Sequence, residues 1–564
     1  MNQLPRIAVF AGPTATICNT PDLVTSNQAR ARHKLPALLT PDGREQRFDL
    51  LRPQRLAAPV TVYVEAFTAH PLERDAAVLS AQPDGWLDGH GALHSEPPTG
   101  PSKPVYVVEL RPEDGLYQLP YMGRQADGSA WEQTSAFPFA PMSHSRQSFF
   151  PDASRLYEEI DRFCLTDFGR RVPLSAIADF EFFRAGPSGG YTGLADGTDP
   201  AQGSRGSERL GEDFFGYYPH HLGREPHLAT LAQITNQVQQ VLDSGSFDGL
   251  QWLEGSPNIE ETMYWLNLLV DTQLPMVGHS AQRRQQSASA DGPRNIVDGV
   301  RYLASRVALD EAGRDRVGAV VIVDELVYSA REVTKVDARP GGYQAIGGHG
   351  GVVADVGGYE APQLTFVPAR KHTYRSEVRL SQLPSTVPGV EGSLGQVRHR
   401  EVAVRDEHGL IGEAIPMVSV HKYLRYTQSV TGEGPAEAAS EVEILARVSA
   451  NLADAALSGF VVEGMSPFGS ATPTMDAALA IAVFSGMPVV RVGRGNTAGR
   501  AYPHSPIFAI GNNLSSTKAR MLLMAAILRH GMLPPAVDPG NPTAAELSAT
   551  VTAVARLQEL FDTH

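Results

Sequence analysis

Three distant segments of this chain have the same form: an extended run ends, and a small hydroxyl residue or a lysine stands just beyond it. They are residues 12–16 (GPTAT), 254–258 (EGSPN) and 330–335 (AREVTK). A hydroxyl becomes a nucleophile when a neighbouring group accepts its proton, and a desolvated lysine can be that acceptor. Backbone N–H groups in the turns can hold the resulting oxyanion. Serine and threonine are also common turn formers and helix caps, so spacing alone leaves both interpretations open.

The elements that would position these residues alternate between strands and helices. Apolar runs predict strands at 6–11, 180–185, 275–278, 318–323, 416–420, 459–463 and 488–492. Helical patterns occupy 152–163, 227–242, 438–455 and 475–484, and further helices start at Asn258, at Ser515 or Ser516, and at Thr543. This alternation is typical of parallel sheets, whose ligands bind at the carboxyl ends of the strands.

The helix that starts at Asn258 is predicted to have a capping box. Asn258 would cap the first turn, and Glu261 would reach back to it. The hydroxyl of Ser256 would then be free for another role.

Composition divides the 564 residues further. Between about 25 and 150, proline, glycine and polar residues are dense around strand-like runs at 60–66 and 104–110, which predicts a β-rich insertion. Residues 376–412 are rich in turns and charges. We therefore expect a catalytic domain over 1–375 with the insertion inside it, a linker over 376–412, and a second domain over 413–564.

Charge and cysteine content exclude several classes of function. The net charge of −14 argues against a nucleic-acid partner. Two cysteines are too few to staple the fold and suit a reducing compartment. With no signal-like start and no apolar run of spanning length, we expect a cytoplasmic protein without a membrane contact.

No cofactor or metal is expected. His220, His221 and His227, like His90 and His94, lie in loops without the helical spacing of metal ligands. The glycines of residues 339–358 lack the strand–GxGxxG–helix context of a nucleotide site.

Together the segments resemble the type I/II bacterial L-asparaginase family. Residues 7–16 (IAVFAGPTAT) are similar to its motif T-G-G-T-[IV]-A, 255–261 (GSPNIEE) to H-G-T-D-T-[ML]-E-E, and 331–335 (REVTK) to R-D-V-T-K. Residues 289–293 (SADGP), 368–373 (PARKHT), 459–464 (GFVVEG) and 518–523 (KARMLL) also match. The resemblance covers residues 6–20 and most of 150–564. It implies catalytic roles for Thr14, Ser256 and Lys335.

The same resemblance implies an α/β fold of two domains. The larger, N-terminal domain would have a parallel or mixed sheet flanked by helices, and the C-terminal α/β domain would be smaller. In the family a neighbouring subunit closes the active site, so a homodimer or homotetramer is expected.

The departures from the family pattern concern substrate recognition. Pro13 replaces a motif glycine, and Pro257 replaces the aspartate that grips the substrate ammonium in the family. Glu254, Pro257 and Asn258 would contact the substrate. Ser188 would keep the hydroxyl of the family's Ser-Gln pair, which here lacks its glutamine. The family's flexible-loop tyrosine cannot be placed, because the insertion occupies its region.

We therefore expect an amidohydrolase for a small-molecule amide other than free asparagine. Without the neighbouring carboxylate, Lys335 should favour its neutral form and act as a base for Ser256 or Thr14. Two alternatives stay open: a catalytically inactive binding or regulatory protein, and a subunit of a tRNA-dependent amidotransferase. The negative charge argues against the second alternative.

Overall fold

The structure is a computed structural model of the 564-residue chain. It describes residues 4–15, 17–21, 83–90, 92–110, 173–185, 226–283, 289–339, 341–346, 350–357, 361–423, 439–465, 469–495 and 505–564, with short pieces between 37 and 161. Among those pieces, Leu156, Tyr157, Ile160 and Asp161 are helical, in agreement with the helix predicted at 152–163.

Nine strands precede residue 150 in the described part of the chain: β1 Arg6–Ala11, β2 Cys18–Pro21, β3 Gln54–Arg55, β4 Val60–Val64, β5 Gly85–Asp88, β6 Leu93–His94, β7 Ser102–Leu110, β8 Leu116–Tyr117 and β9 Gln147–Phe149. Strands β4, β7, β5 and β6 form an antiparallel sheet in that order. The β-rich character expected for this region is confirmed.

The strands that follow are β10 Asp179–Arg184, β11 Gly249–Leu253, β12 Met276–His279, β13 Val320–Val323, β14 Leu326–Ser329, β15 Val333–Lys335, β16 Tyr343–Ala345, β17 Val352–Asp355, β18 Gln363–Leu364, β19 Thr386–Ser393, β20 Gln396–Ala403, β21 Met417–Lys422, β22 Ser458–Gly464, β23 Val489–Gly493 and β24 Ala509–Ile510. The α-helices are α1 Leu228–Asp243, α2 Ile259–Leu269, α3 Gly292–Ser305, α4 Ala439–Asp454, α5 Pro473–Phe484, α6 Ser516–His530 and α7 Ala544–Thr563.

The main sheet has eight strands in the order β10-β1-β11-β12-β13-β14-β17-β18. Its first five strands are parallel, and β14, β17 and β18 continue it antiparallel. Nearly every residue of β1, β11, β12 and β13 is buried, as expected for a parallel sheet covered on both faces. The predicted mixed α/β class is confirmed.

A second, parallel sheet has the order β21-β22-β23-β24. Helix α6 packs on β22 and also reaches α2 beside the main sheet. Its side chains from Met521 to Leu528 are all buried, so this helix joins the two halves of the core. The division of the chain into domains stays a prediction.

Residues 376–412, predicted as a linker, contain a long hairpin formed by β19 and β20. Val387 and Val390 of the hairpin are buried in the core that includes helix α4. The charges that gave this region its linker-like composition lie on the exposed face, where Arg398 and Arg400 pair with Glu391.

The capping box predicted at Asn258 is wrong. Asn258 has helical backbone angles and its side chain makes no capping bond, because the helical turn already begins with the N–H of Ile259 bonding to the carbonyl of Gly255. A capping box does occur at the last helix, where Thr543 and Glu546 satisfy each other's backbone N–H groups. Ser515 caps α6 through the N–H of Lys518, which decides between the two starts predicted there.

Candidate active site

Two of the three predicted segments meet at the carboxyl edge of the main sheet. Strands β1 and β11 are parallel neighbours, and the N–H of Gly12 continues their ladder by donating to the carbonyl of Leu253 at 2.8 Å. The turns after both strands are thereby held side by side. A Cβ on Gly255 would lie 3.0 Å from the carbonyl oxygen and 3.3 Å from Oγ1 of Thr14, so glycine allows this close approach.

Glu254 is the buried centre of this junction, with 5% of its surface exposed. The Thr14 hydroxyl donates to its Oε1 at 3.2 Å, and the indole N–H of Trp252 donates to its Oε2 at 2.9 Å. Burial raises the pKa of the Glu254 carboxyl, whereas hydrogen bonds from Trp252, from Thr262 and from the hydroxyl and backbone N–H of Thr14 act in the opposite direction. The carboxyl is therefore desolvated and surrounded by donors.

Ser256 belongs to a second set of hydrogen bonds. Its Oγ accepts from the hydroxyl of Tyr343 at 2.5 Å, and Oγ of Ser280 lies 3.5 Å from the same phenol oxygen. Burial raises the pKa of Tyr343, so its phenol stays protonated and donates to Ser256.

Lys335 does not sit at the end of a main-sheet strand. It ends β15, which among the described strands pairs only with β16, in a short hairpin where Lys335 stands opposite Tyr343. Its Nζ lies 5.1 Å from the centre of the Tyr343 ring and donates to Oε1 of Gln282 at 2.7 Å and to the carbonyl of Arg339 at 2.9 Å. Lys335 thus reaches Ser256 through Tyr343, and the two hydrogen bonds of its amine go to carbonyl groups.

The role of Lys335 as a neutral base stays a prediction. Partial burial lowers the pKa of the amine, and the more distant carboxylates of Asp337, Asp291 and Asp324 oppose that shift. The backbone N–H of Lys335 is held by Oε2 of Glu260 at 2.8 Å, which fixes the strand beside α2.

Of the predicted substrate contacts, Glu254, Pro257 and Asn258 lie at this junction, and Ser188 lies outside the described residues. Glu254 lines two cavities. One has a volume of about 110 Å³, and Ser280 and His279 are among its lining residues. The rest of its lining is mainly aliphatic: Ala15, Ile17, Leu156, Leu253 and Ile296. The other, of about 130 Å³, includes Pro13, Asn258 and the Arg520–Glu261 ion pair.

Sequence reasoning missed Tyr343 and Gln282 and gave Glu254 only a substrate-binding role. A signal for Tyr343 was present: Asp337, Pro340 and Gly341 form a turn sequence after Lys335, so a hairpin returns the chain to the strand that ends there. Gln282 has no comparable signal.

Within the described ranges, no three His, Cys, Asp or Glu side chains are grouped closely enough to hold a metal ion. In the same part of the chain, none of the helices has the length and apolar character needed to cross a bilayer.

Comparison with known proteins identifies the segment that carries most of this site. Residues 220–346 match the family model described as Asparaginase, N-terminal. Glutaminase-asparaginase of Pseudomonas fluorescens biotype A is 28% identical over 176 residues, which are 31% of this chain and 46% of that protein. L-asparaginase 2 of Escherichia coli (strain K12) is 33% identical over 141 residues, 25% of this chain and 38% of that protein.

Among solved structures, a probable cytoplasmic L-asparaginase from Campylobacter jejuni is similar with a TM-score of 0.42 and 20% identity, over 60% of this chain and 84% of that one. The chain spans less than half the length of the two curated relatives named above. The matched segment, residues 220–346, contains Glu254, Ser256 and Lys335, so this part of the chain is similar to the N-terminal domain of asparaginases. Thr14 lies outside the matched residues 220–346.

Proposed function

We propose that this protein is an amidohydrolase that cleaves a carboxamide or substituted amide through an acyl-enzyme on Thr14. The observation that carries the proposal is the contact of the Thr14 hydroxyl with the turn of Glu254, Gly255 and Ser256, where two parallel strands end. This edge of a parallel sheet is where ligands bind in such folds. The similar proteins named above are a glutaminase-asparaginase and an L-asparaginase, and both names denote amide hydrolysis.

In the proposed reaction, Oγ1 of Thr14 attacks the amide carbonyl, the amine or ammonia leaves, and water hydrolyses the ester. Ser256 supports this step with a hydroxyl that is oriented by Tyr343. Lys335 supports it from behind Tyr343, where its cation faces the aromatic ring.

We propose a substrate other than free asparagine. Pro257 has no carboxylate for an α-ammonium group, and the cavity beside Glu254 and Gly255 has a mainly aliphatic lining. Its volume of about 110 Å³ suits a short, uncharged acyl chain, since an apolar cavity of about 150 Å³ holds a benzene molecule. We further propose a homodimer or homotetramer, as the family resemblance implies.

Release of ammonia or amine from a panel of amides tests the function. We expect turnover of short aliphatic amides above that of asparagine, a loss of at least about 100-fold in Thr14→Ala, and a clear loss in Lys335→Ala. Thr552→Ala is the matched control, because this exposed hydroxyl only bonds the carbonyl of Ser548 in its own helix.

Full activity in Thr14→Ala would refute the threonine nucleophile. Binding of an amide without turnover by the wild type would favour the non-catalytic protein. The observation that favours this alternative is that the Lys335 amine donates to Gln282 and Arg339 and not to either hydroxyl of the site.

A further inference from the structure

The group that touches the proposed nucleophile is a carboxylate, not the lysine. Glu254 accepts the hydrogen bond of the Thr14 hydroxyl, whereas the amine of Lys335 donates to Gln282 and Arg339. Geometry is the first requirement for a general base, which must lie within hydrogen-bond reach of the proton it removes. At 3.2 Å, Oε1 of Glu254 meets it at the outer limit of the usual range, and such contacts are often longer in an unliganded site.

The surroundings of Glu254 fix the carboxylate toward Thr14. The indole of Trp252, itself fully buried, donates to Oε2, Oε1 accepts from Thr14, and Thr262 is a further donor to the carboxyl. Glu254 also borders both cavities at the strand ends, so a substrate in either one would lie beside it. A residue with a purely structural role would not need to face the space where an amide must enter.

We propose that Glu254 is the general base and acid of the Thr14 reaction; this inference rests on the proposed function. The Thr14 proton passes to Oε1 as Oγ1 bonds to the carbonyl carbon. The protonated Glu254 then gives that proton to the leaving nitrogen as the C–N bond breaks. In the second half, Glu254 takes a proton from water and the hydroxide oxygen attacks the ester carbon. The bond between that carbon and Oγ1 of Thr14 then breaks, the proton returns to Oγ1, and the carboxylic acid product leaves.

The pH profile of kcat/KM separates this role from a structural one. We expect the wild type to lose activity on the acid side as Glu254 becomes protonated, at a pH above the usual carboxyl range because burial raises its pKa. Glu254→Gln keeps the size and an acceptor oxygen. It should reduce kcat/KM by roughly 100-fold to 10,000-fold and abolish that acid limb, whereas Glu254→Asp should keep the limb at a reduced rate.

Glu391→Gln is the matched control, since this carboxylate lies on the β19–β20 hairpin and pairs with Arg398 and Arg400, away from both cavities. It should leave the profile unchanged. Circular dichroism and thermal unfolding of all variants confirm that each is folded before rates are compared. Retention of the acid limb and of most activity in folded Glu254→Gln would overturn the inference.

Acylation by p-nitrophenyl acetate supplies a readout that needs no natural substrate. Peptide mapping should find the acetyl group on Thr14 in the wild type, and its rate of formation should fall at least about 100-fold in Glu254→Gln. An equal rate in the two proteins overturns the role of Glu254 while leaving Thr14 as nucleophile. Acetylation that is absent from wild-type Thr14 overturns the proposed nucleophile, and the role of Glu254 with it.

Discussion

At the residue scale, the two hydroxyls of the site are served by different partners. Thr14 donates to Glu254, and Ser256 accepts from Tyr343. In the proposed reaction, this separation would let Thr14 lose its proton while Ser256 is held as a neutral dipole. Preorganised dipoles at a reacting centre lower the barrier without the cost of reorganisation.

Tyr343→Phe tests the second partner. The substitution removes the donor to Ser256 but keeps the ring that faces Lys335. We expect kcat to fall by about 100-fold, the lower end of the roughly 100-fold to 1,000-fold loss for an oxyanion-hole donor, with a smaller effect on KM. Steady-state kinetics on the best amide of the panel measure both constants.

Tyr328→Phe is the matched control for that variant. Tyr328 is also buried, and its hydroxyl donates to the backbone carbonyl of Tyr343 at 3.3 Å rather than to Ser256. It should cost about 1 kcal/mol of unfolding free energy and leave kcat nearly unchanged. Equal losses of kcat in the two variants would contradict a specific role for the Tyr343 hydroxyl.

The sequence was sufficient to predict that Thr14 and Ser256 lie at the same edge of the sheet, because both follow buried strands and the strand ends of a parallel sheet share one edge. It was not sufficient to choose the partner of each side chain. Glu254 and Lys335 are both plausible proton acceptors in a linear chain, and only the register of β1 against β11 puts the carboxylate on Thr14. The failed cap at Asn258 has the same origin, since tertiary contacts start the helical turn earlier than local chemistry indicates.

At the element scale, helix α6 is tied to α2 and to the segment before β15 by one buried lysine. The amine of Lys518 donates to the backbone carbonyls of Glu260 and Ala330, and the side chain is 1% exposed. Burial lowers the pKa of Lys518 to about 8, and the carboxylate of Glu260 opposes this shift. Glu260 in turn holds the N–H of Lys335, so this connection reaches the site.

Lys518→Met should destabilise the protein by roughly 3–5 kcal/mol, because it leaves the carbonyls of Glu260 and Ala330 without their donor and removes the positive charge that acts on the buried Glu260 carboxyl. We expect Glu260→Gln to relieve part of that loss in the double variant, so that the two effects are not additive. Urea unfolding of the single and double variants measures the coupling. Lys422→Met, at a lysine whose side chain is 65% exposed, is the control and should change little.

If the Lys518→Met and Glu260→Gln effects simply add, the proposed connection through Glu260 is refuted. The helix itself was predictable from its apolar pattern and its start at Ser515. The burial of Lys518 and its hydrogen bonds to α2 and to the segment before β15 were not predictable. Lysine is rarely buried, and nothing in the local sequence indicates which carbonyl groups its amine will bond to.

At the scale of the whole molecule, stability depends on groups whose charge is suppressed by burial. Burial lowers the pKa of His279 to about 3 and that of His372 and His564 to about 4. Their unfolded pKa is near 6.5, so the stability gained from keeping them neutral is present above that pH and is lost as the pH falls toward 4.

Asp315 acts in the opposite direction. It is fully buried, accepts the N–H groups of Val317 and Gly318, and has a pKa raised to about 7 by burial. Its unfolded pKa is near 3.9, so the folded protein binds the extra proton between these values. The contribution of this group to stability is therefore complete below about pH 4 and declines as the pH rises to about 7.

Asp315→Asn removes that one titration from the global curve. We compare the free energy of unfolding of the variant with that of the wild type at each pH. This difference should favour the variant more at pH 8 than at pH 5, by as much as about 2–3 kcal/mol, since each unit of pKa shift corresponds to about 1.36 kcal/mol. Urea unfolding at the two pH values measures this difference, and any pH-independent cost of the asparagine cancels in it. Asp310→Asn, at an exposed carboxylate whose pKa is lowered by Arg314, should show the same effect at both pH values. If the stability difference between Asp315→Asn and the wild type is the same at pH 5 and pH 8, this carboxyl is already ionised in the folded protein at pH 5.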